Sequence, residues 1–234
     1  AAINQLCKAN GADLSVVALD LDTPTKDFTV APAMTESECL DALNIGAEAV
    51  DKSADILILG EMGIGNSTIA AALAAAVFGG DPATWVGRGT GSDDEGVQRK
   101  VDAISRGLDA HQGLSAMGIL AALGGREQAA ICGAVLAARA YGIPVILDGY
   151  ICTASVAPLF KANAALLDHC LIGHLSVEPG HQKLLNEMGK SAILNFDMRL
   201  GEGSGAALAL GVVRSALACH NGMATFAEAQ VSGG

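Results

Sequence analysis

A chain of 234 residues with 51% apolar and 17% charged residues, 29 glycines and a formal charge of −11 is long enough to bury a large core in one α/β domain. The acidic balance excludes nucleic acid as the main partner, because phosphate backbones need a basic surface, but leaves room for a small anion held at a helix N-terminus. No apolar run reaches the ~18 residues of a membrane span, no secretory signal is recognisable, and six scattered cysteines without a C-x-x-C pair read as core thiols of a reducing, cytoplasmic compartment, with neither disulfide nor zinc spacing and no metal site expected.

The chain opens in a helical pattern, AAINQLCKANG (1–11), and starts without Met, as a fragment or a processed chain would. LSVVALDL (14–21) is a β-branched run expected as a strand, and TESECLDALNIGAEAVDKSA (35–54) a helix with a capping box at Thr35 and Glu38. DILILG (55–60) reads as a short apolar strand and NSTIAAALAAAVFGG (66–80) as a helix closed by glycine. Helices follow at 92–111, 114–125 and 127–142, then a buried strand in PVILDGY (144–150). A helix is expected over 153–168 despite Pro158, a strand in CLIGHL (170–175), a helix over 178–189 and a strand in AILNFDM (192–198). Residues 204–230 read as two helices separated near Asn221-Gly222. Apolar strands alternating with helices predict an α/β fold in which a parallel sheet is covered on both faces. The expected organisation is an α/β domain over 1–210 and a helical segment over 211–234. Ligands of such sheets bind at the carboxyl ends of the strands, so polar residues directly after strands are the candidates.

Five clusters meet that condition. In GEMGIGNST (60–68), Gly60, Gly63 and Gly65 let backbone N–H groups approach an anion, and Asn66, Ser67 and Thr68 open a helix. It is not a P-loop, lacking the lysine, and Thr68 stands where a dinucleotide fingerprint needs its third glycine; an ordinary tight turn is the alternative. GRGTGSDDEG (87–96) offers an anion nest with Arg88, Gly89, Thr90 and Ser92, and Lys100 about two turns further on. The alternative is a capped helix start with a surface lysine. Asp148 and Gly149, ending a buried strand, suit ribose hydroxyls or a turn equally. In GHLSVEPGH (173–181), His174 and Ser176 are candidate ligand contacts, with a structural histidine and a helix-start acid at Glu178 as the plainer reading; nothing resembles a Ser-His-Asp triad. In DMRLGEGSGAALAL (197–210), Glu202 between glycines is either a catalytic base or an acid matched to a helix dipole. Together these loops suggest one small phosphorylated ligand.

In this order and spacing the five motifs resemble the nicotinate-nucleotide:dimethylbenzimidazole phosphoribosyltransferase family, over essentially the whole chain. The resemblance implies a Rossmann-like parallel α/β domain in three layers with a small helical domain, here partly absent or built from the termini, and a homodimer. It implies transfer of phosphoribose from nicotinate mononucleotide to 5,6-dimethylbenzimidazole or a related aromatic base, giving α-ribazole 5′-phosphate and nicotinate, without a cofactor. Glu202 then falls on the general base and Glu61 on a second carboxylate near the reacting centre. Met62, Leu200 and Gly201 border the base, Gly63–Thr68 (with Gly65, Asn66 and Ser67), Arg88, Gly89, Thr90, Lys100, His174 and Ser176 hold phosphoribose, and Asp148 and Gly149 sit at the ribose. Family chains extend upstream of AAIN with a section that contributes to the base pocket, so the phosphoribosyl half of the site is represented more fully here. An NAD-dependent oxidoreductase and a non-catalytic nucleotide-binding subunit are the alternatives; Thr68 speaks against the first.

Overall fold

A computed structural model of the chain describes residues 1–89 and 91–230. In chain order it contains α1 (Ala2–Asn10), α2 (Glu36–Glu48), β1 (Leu57–Leu59), α3 (Asn66–Phe78), α4 (Asp94–Ala110), α5 (Ala116–Leu123), α6 (Arg126–Tyr141), β2 (Val145–Leu147), α7 (Tyr150–Ser155), α8 (Ala157–Ala162), β3 (Cys170–Ser176), α9 (Pro179–Met188), β4 (Ala192–Met198) and α10 (Ser204–Gly222). The capping box forms: the Glu38 N–H donates to Thr35 Oγ1 at 3.2 Å and the Thr35 N–H to Glu38 Oε2 at 2.7 Å, satisfying donors that a helix start leaves open.

The four strands lie in the order β1-β2-β3-β4, all parallel. Side chains alternate across them. Val145, Leu147 and Ile172 join the main core with Leu73 of α3, Val135 of α6 and Leu184 of α9. Ile146 and Leu194 face the other way, onto Ala206 and Ala209 of α10, and Ile3 and Cys7 of α1 pack on Ala207 behind them. Helices therefore cover both faces, which is why the strands carry no polar side of their own. The strand ends are directed at one rim, where the loops after β1, β2, β3 and β4 meet.

Three elements differ from expectation. Residues 14–21 form no strand, and Val16 is 88% exposed and Leu21 82%: a β-branched run becomes a strand only beside a partner that pairs its N–H and C=O groups, and among the described residues it has none. Residues 153–168 break into α7, α8 and a short 3₁₀ turn at Ala164–Leu167. Pro158 occupies the first turn of α8, since it cannot donate within a continuous helix and crowds the carbonyl of the preceding turn. The chain end forms one helix to Gly222 with no second helix in 223–230, and the 210/211 division falls inside α10.

Away from the sheet, α2 packs on α6 with the backbones in contact. A Cβ on Gly46 would lie 1.9 Å from the Ala130 carbonyl oxygen, and one on Gly133 1.8 Å from that of Leu43. Neither neighbour is a side chain that can swing aside. Gly133→Ala is expected to destabilise the fold by about 1–3 kcal/mol through overpacking, read as a lower Tm in thermal denaturation.

Candidate active site

Loops after β1 and β4 come together because Gly60 has no side chain. A Cβ there would lie 2.3 Å from the Gly203 nitrogen and 2.6 Å from the Glu202 carbonyl carbon, so the backbones touch, and the Glu202 N–H donates to the Glu61 carbonyl oxygen at 3.3 Å. The turn that carries Glu202 is left-handed throughout, with φ of +82° at Gly201, +61° at Glu202 and +79° at Gly203. For glutamate that conformation costs energy and persists only where surroundings fix it. Asp148, 2% exposed, does so from the end of β2. Its Oδ2 accepts the Gly203 N–H at 3.1 Å and its Oδ1 the Ala206 N–H at 2.8 Å. These are donors of the first turn of α10 that no side chain of α10 itself caps. Burial pushes the Asp148 carboxyl above its ordinary range, opposed by those N–H groups and by His174, whose Nε2 lies 3.7 Å from Oδ1.

Glu61 and Glu202 face one cavity, shared with Met62, Gly63, Gly65, Asn66, Ser67, Gly89, Gly149, Arg199, Leu200 and Gly201. Burial pushes the Glu61 carboxyl up to about 7; the amide of Asn66 opposes this, and the carboxylates of Glu127, Asp148 and Glu202 add to it. Asn66, 3% exposed, donates its Nδ2–H to Glu61 Oε2. Glu61 thus exchanges protons near neutrality, the range a general acid or base needs.

An adjoining cavity shares Gly65 and Ser67 with the first and adds Thr68, Gly91, Ser92 and Lys100. It lies at the N-terminus of α3, whose cap Gly65 supplies no side-chain acceptor, so its first N–H groups and the helix dipole face the opening. Lys100 Nζ reaches in from α4, donating to Ser67 Oγ at 3.3 Å and to the Gly87 carbonyl at 3.2 Å. Uncapped N–H groups, hydroxyls and an ammonium make an anion cradle.

The expected residues therefore converge, with exceptions. Glu61, Met62, Gly63, Gly65, Asn66, Ser67, Gly89, Asp148, Gly149, His174, Ser176, Leu200, Gly201 and Glu202 line the first cavity, and Thr68 and Lys100 the second. Arg88 lines neither: its side chain is 64% exposed and pairs with Asp94, the acids at the start of α4 having drawn it outward. Asp148 lines the first cavity, and each of its oxygens also accepts an N–H at the start of α10. Thr90 lies outside the described residues. Asp93, not Ser92, caps α4, accepting the Gly96 N–H at 2.8 Å.

Sequence reasoning missed the buried struts behind the cavity. His181 Nδ1 accepts the Ser176 N–H at 2.9 Å, so Nε2 carries the hydrogen and donates to Thr153 Oγ1 at 3.2 Å, which donates to the Gly149 carbonyl at 2.8 Å. Burial, reinforced by His174, holds the imidazole down at about 3, a neutral spacer between the loops after β2 and β3. Glu178 Oε1 accepts the Gly89 N–H at 2.9 Å, and the Tyr150 hydroxyl donates to the Trp85 carbonyl at 2.8 Å. Only Glu178, placed between a strand and a proline, carried a hint in the sequence.

Comparison with known proteins gives a consistent result. The family model DBI_PRT, described as phosphoribosyltransferase, matches residues 1–231. Proteins named nicotinate-nucleotide–dimethylbenzimidazole phosphoribosyltransferase are similar throughout: that of Rhodobacter capsulatus is 67% identical over 232 residues, 99% of this chain and 70% of the relative, and that of Novosphingobium aromaticivorans 57% identical over 236 residues, covering all of this chain and 70% of the relative. The crystal structure of CobT from Thermus thermophilus superposes with a TM-score of 0.89 at 39% identity, over all of this chain and 76% of that one.

The Glu61 geometry has a consequence for stability. Its carboxyl binds a proton more tightly in the folded chain, at about 7, than at its ordinary 4.5, so its contribution is full below about pH 4.5 and is lost as pH rises through 7. The difference corresponds to about 3 kcal/mol. Glu61→Gln is expected to be more stable than the parent chain at about pH 8 by an amount of that order, with the gap closing below about pH 4.5 in urea titrations.

Proposed function

The chain belongs to the nicotinate-nucleotide–dimethylbenzimidazole phosphoribosyltransferase family, and we propose that it transfers phosphoribose from nicotinate mononucleotide to 5,6-dimethylbenzimidazole or a related aromatic base, with Glu202 as the general base. The observation that carries this reading is the continuity of an anion cradle at α3 and α4 with a cavity lined by four carboxylates, Glu61 and Glu202 among them. The donor's 5′-phosphate fits the N–H groups at the start of α3 with Lys100 and Ser67, and its ribose then extends past Gly89, Gly149 and Ser176 toward Glu61 and Glu202. His174, 1% exposed and packed against Gly149 and Gly205, supports that path from below. Met62 and Leu200, 75% and 55% exposed at the rim, offer apolar faces to a flat ring.

The nicotinate nitrogen is quaternary in the donor, so it leaves with the C1′–N electron pair as a neutral pyridine nitrogen and needs no proton. The acceptor's ring nitrogen forms the new bond to C1′ from the opposite face, inverting that carbon, while its N–H proton passes to Glu202. Holding both rings across one crevice removes much of the entropic barrier. The glycines flanking Glu202 keep that turn thin beside the acceptor ring. Glu61, poised near neutrality, is the second group able to take or return that proton. We also propose a homodimer, supported by the exposed apolar side chains Val212, Leu217, Met223 and Phe226 on α10 and just beyond it.

Glu202→Gln is expected to lower turnover to α-ribazole phosphate by about 10²–10⁴-fold while nicotinate mononucleotide still binds in calorimetry; undiminished turnover would remove the base assignment. Lys100→Ala is expected to raise the KM for nicotinate mononucleotide by about 10–100-fold, the loss of one charge-assisted phosphate contact, with a smaller change in kcat. An unchanged donor KM would return Lys100 to a purely structural place beside Gly87 and Ser67.

A further inference from the structure

One carboxylate close to the reaction centre lines neither cavity. Glu127, in the first turn of α6, lies behind the loop between β1 and α3. A Cβ built on Gly63 would stand 2.1 Å from Glu127 Oε1 and 2.5 Å from Asn66 Nδ2, so the Glu127 carboxylate and the Asn66 amide press on the same α-carbon. Asn66 in turn donates to Glu61 Oε2. Glu127, Asn66 and Glu61 form a row running from the helical layer to the cavity, closed over by a residue that has no side chain. Nothing in this arrangement brings Glu127 to a substrate, and no packing role demands a charge there.

We propose that Glu127 is a charge-setting residue for the transfer: from behind the loop, beside the Asn66 amide that donates to Glu61, its negative charge strengthens the hold of Glu61 on a proton while that carboxyl faces the acceptor base. The groups facing Glu61 from each packed element are Asn66 from α3, Glu127 from α6, Asp148 from the end of β2 and Glu202 from the turn before α10. The Cys152 thiol of α7 also faces Glu61 and is held protonated by burial, so the charged groups around Glu61 in this set are three acids. Of the neighbouring cations, Arg199 lines the same cavity as Glu61, and two are committed elsewhere. Arg126, next to Glu127, points to Asp20 at 3.5 Å and Glu38 at 3.6 Å, and Lys100 is engaged by Ser67 and Gly87. Asp148 is held in place by two backbone N–H groups and Glu202 is the base, so Glu127 is the one acid of the three whose charge has no other task. Burial and the surrounding charge leave Glu61 titrating at about 7, and removing one like charge at this range lowers that value.

The inference rests on the phosphoribosyl transfer proposed above, and the test separates the two. The pH dependence of kcat is measured for the parent enzyme and for Glu127→Gln, Glu127→Ala and Glu127→Asp, with nicotinate mononucleotide and dimethylbenzimidazole saturating and thermal melts as a check on folding. The parent profile is expected to inflect near 7. In Glu127→Gln and Glu127→Ala the inflection is expected to move to lower pH by about 0.5–1 unit, and Glu127→Asp, which keeps the charge, to restore most of it, while the donor KM stays within about twofold. An inflection unmoved in a folded neutral variant overturns the proposal. So does a pattern in which both neutral variants unfold and Glu127→Asp does not, since that assigns the charge to folding. Absence of transfer by the parent enzyme would instead overturn the function proposed above.

Discussion

Two hydrogen bonds from the first turn of α10 to Asp148 hold the site together. They join the end of β2 to the start of the last helix, and so fix the turn between them and β4. The backbone contact at Gly60 brings the loop after β1 against that same turn, and the cavity is the space the two loops leave. A carboxylate buried at the centre of a domain is costly unless it is fully partnered. Here the partners are the uncapped N–H groups of a helix N-terminus, which needed an acceptor in any case, and a histidine within Coulombic reach. One residue thereby closes α10, anchors Glu202 and seals the rim of the sheet.

The crevice is polarised along its length. At one end a helix N-terminus and Lys100 present positive potential; at the other Glu61, Glu202 and, behind them, Glu127 present negative charge. The phosphate of the donor matches the positive end, and the positive ring nitrogen, though balanced by the ring's own carboxylate, lies at C1′ toward the acidic end. As nicotinate leaves, its ring nitrogen loses the positive charge while its carboxylate remains, so the acidic end repels the product, which favours release. Electrostatic alignment of this kind acts before any contact is made and weakens as salt screens it.

Much of this architecture was legible in the residues. The alternation of apolar strands and helices gave the parallel sheet, Thr35 and Glu38 marked a helix start to the residue, and the glycine-rich stretches marked the loops, because close approach of backbone to ligand or backbone to backbone leaves few other residue types possible. What stayed hidden was whatever depends on a partner distant in sequence. Residues 14–21 have the composition of a strand and find no neighbour to pair with. Arg88 sits in the right loop but is captured by Asp94. Nothing local shows that the oxygens of Asp148 also meet the N–H groups of residues 203 and 206. His181 and Thr153 occupy helical positions where such residues are ordinary, and only the folded chain reveals that they tie two loops of the cavity together.

The left-handed turn at Glu202 bears on how this protein responds to selection. Its backbone conformation suits glycine or asparagine better than glutamate, so by the criterion of folding alone the preferred substitution is the one that deletes the carboxylate. A screen for heat resistance that ignores turnover would enrich Glu202→Gly, and would do so at the position proposed as the general base. Durability and activity pull in opposite directions at a single φ angle, and improvement of one without loss of the other has to be sought in the helices, away from the rim.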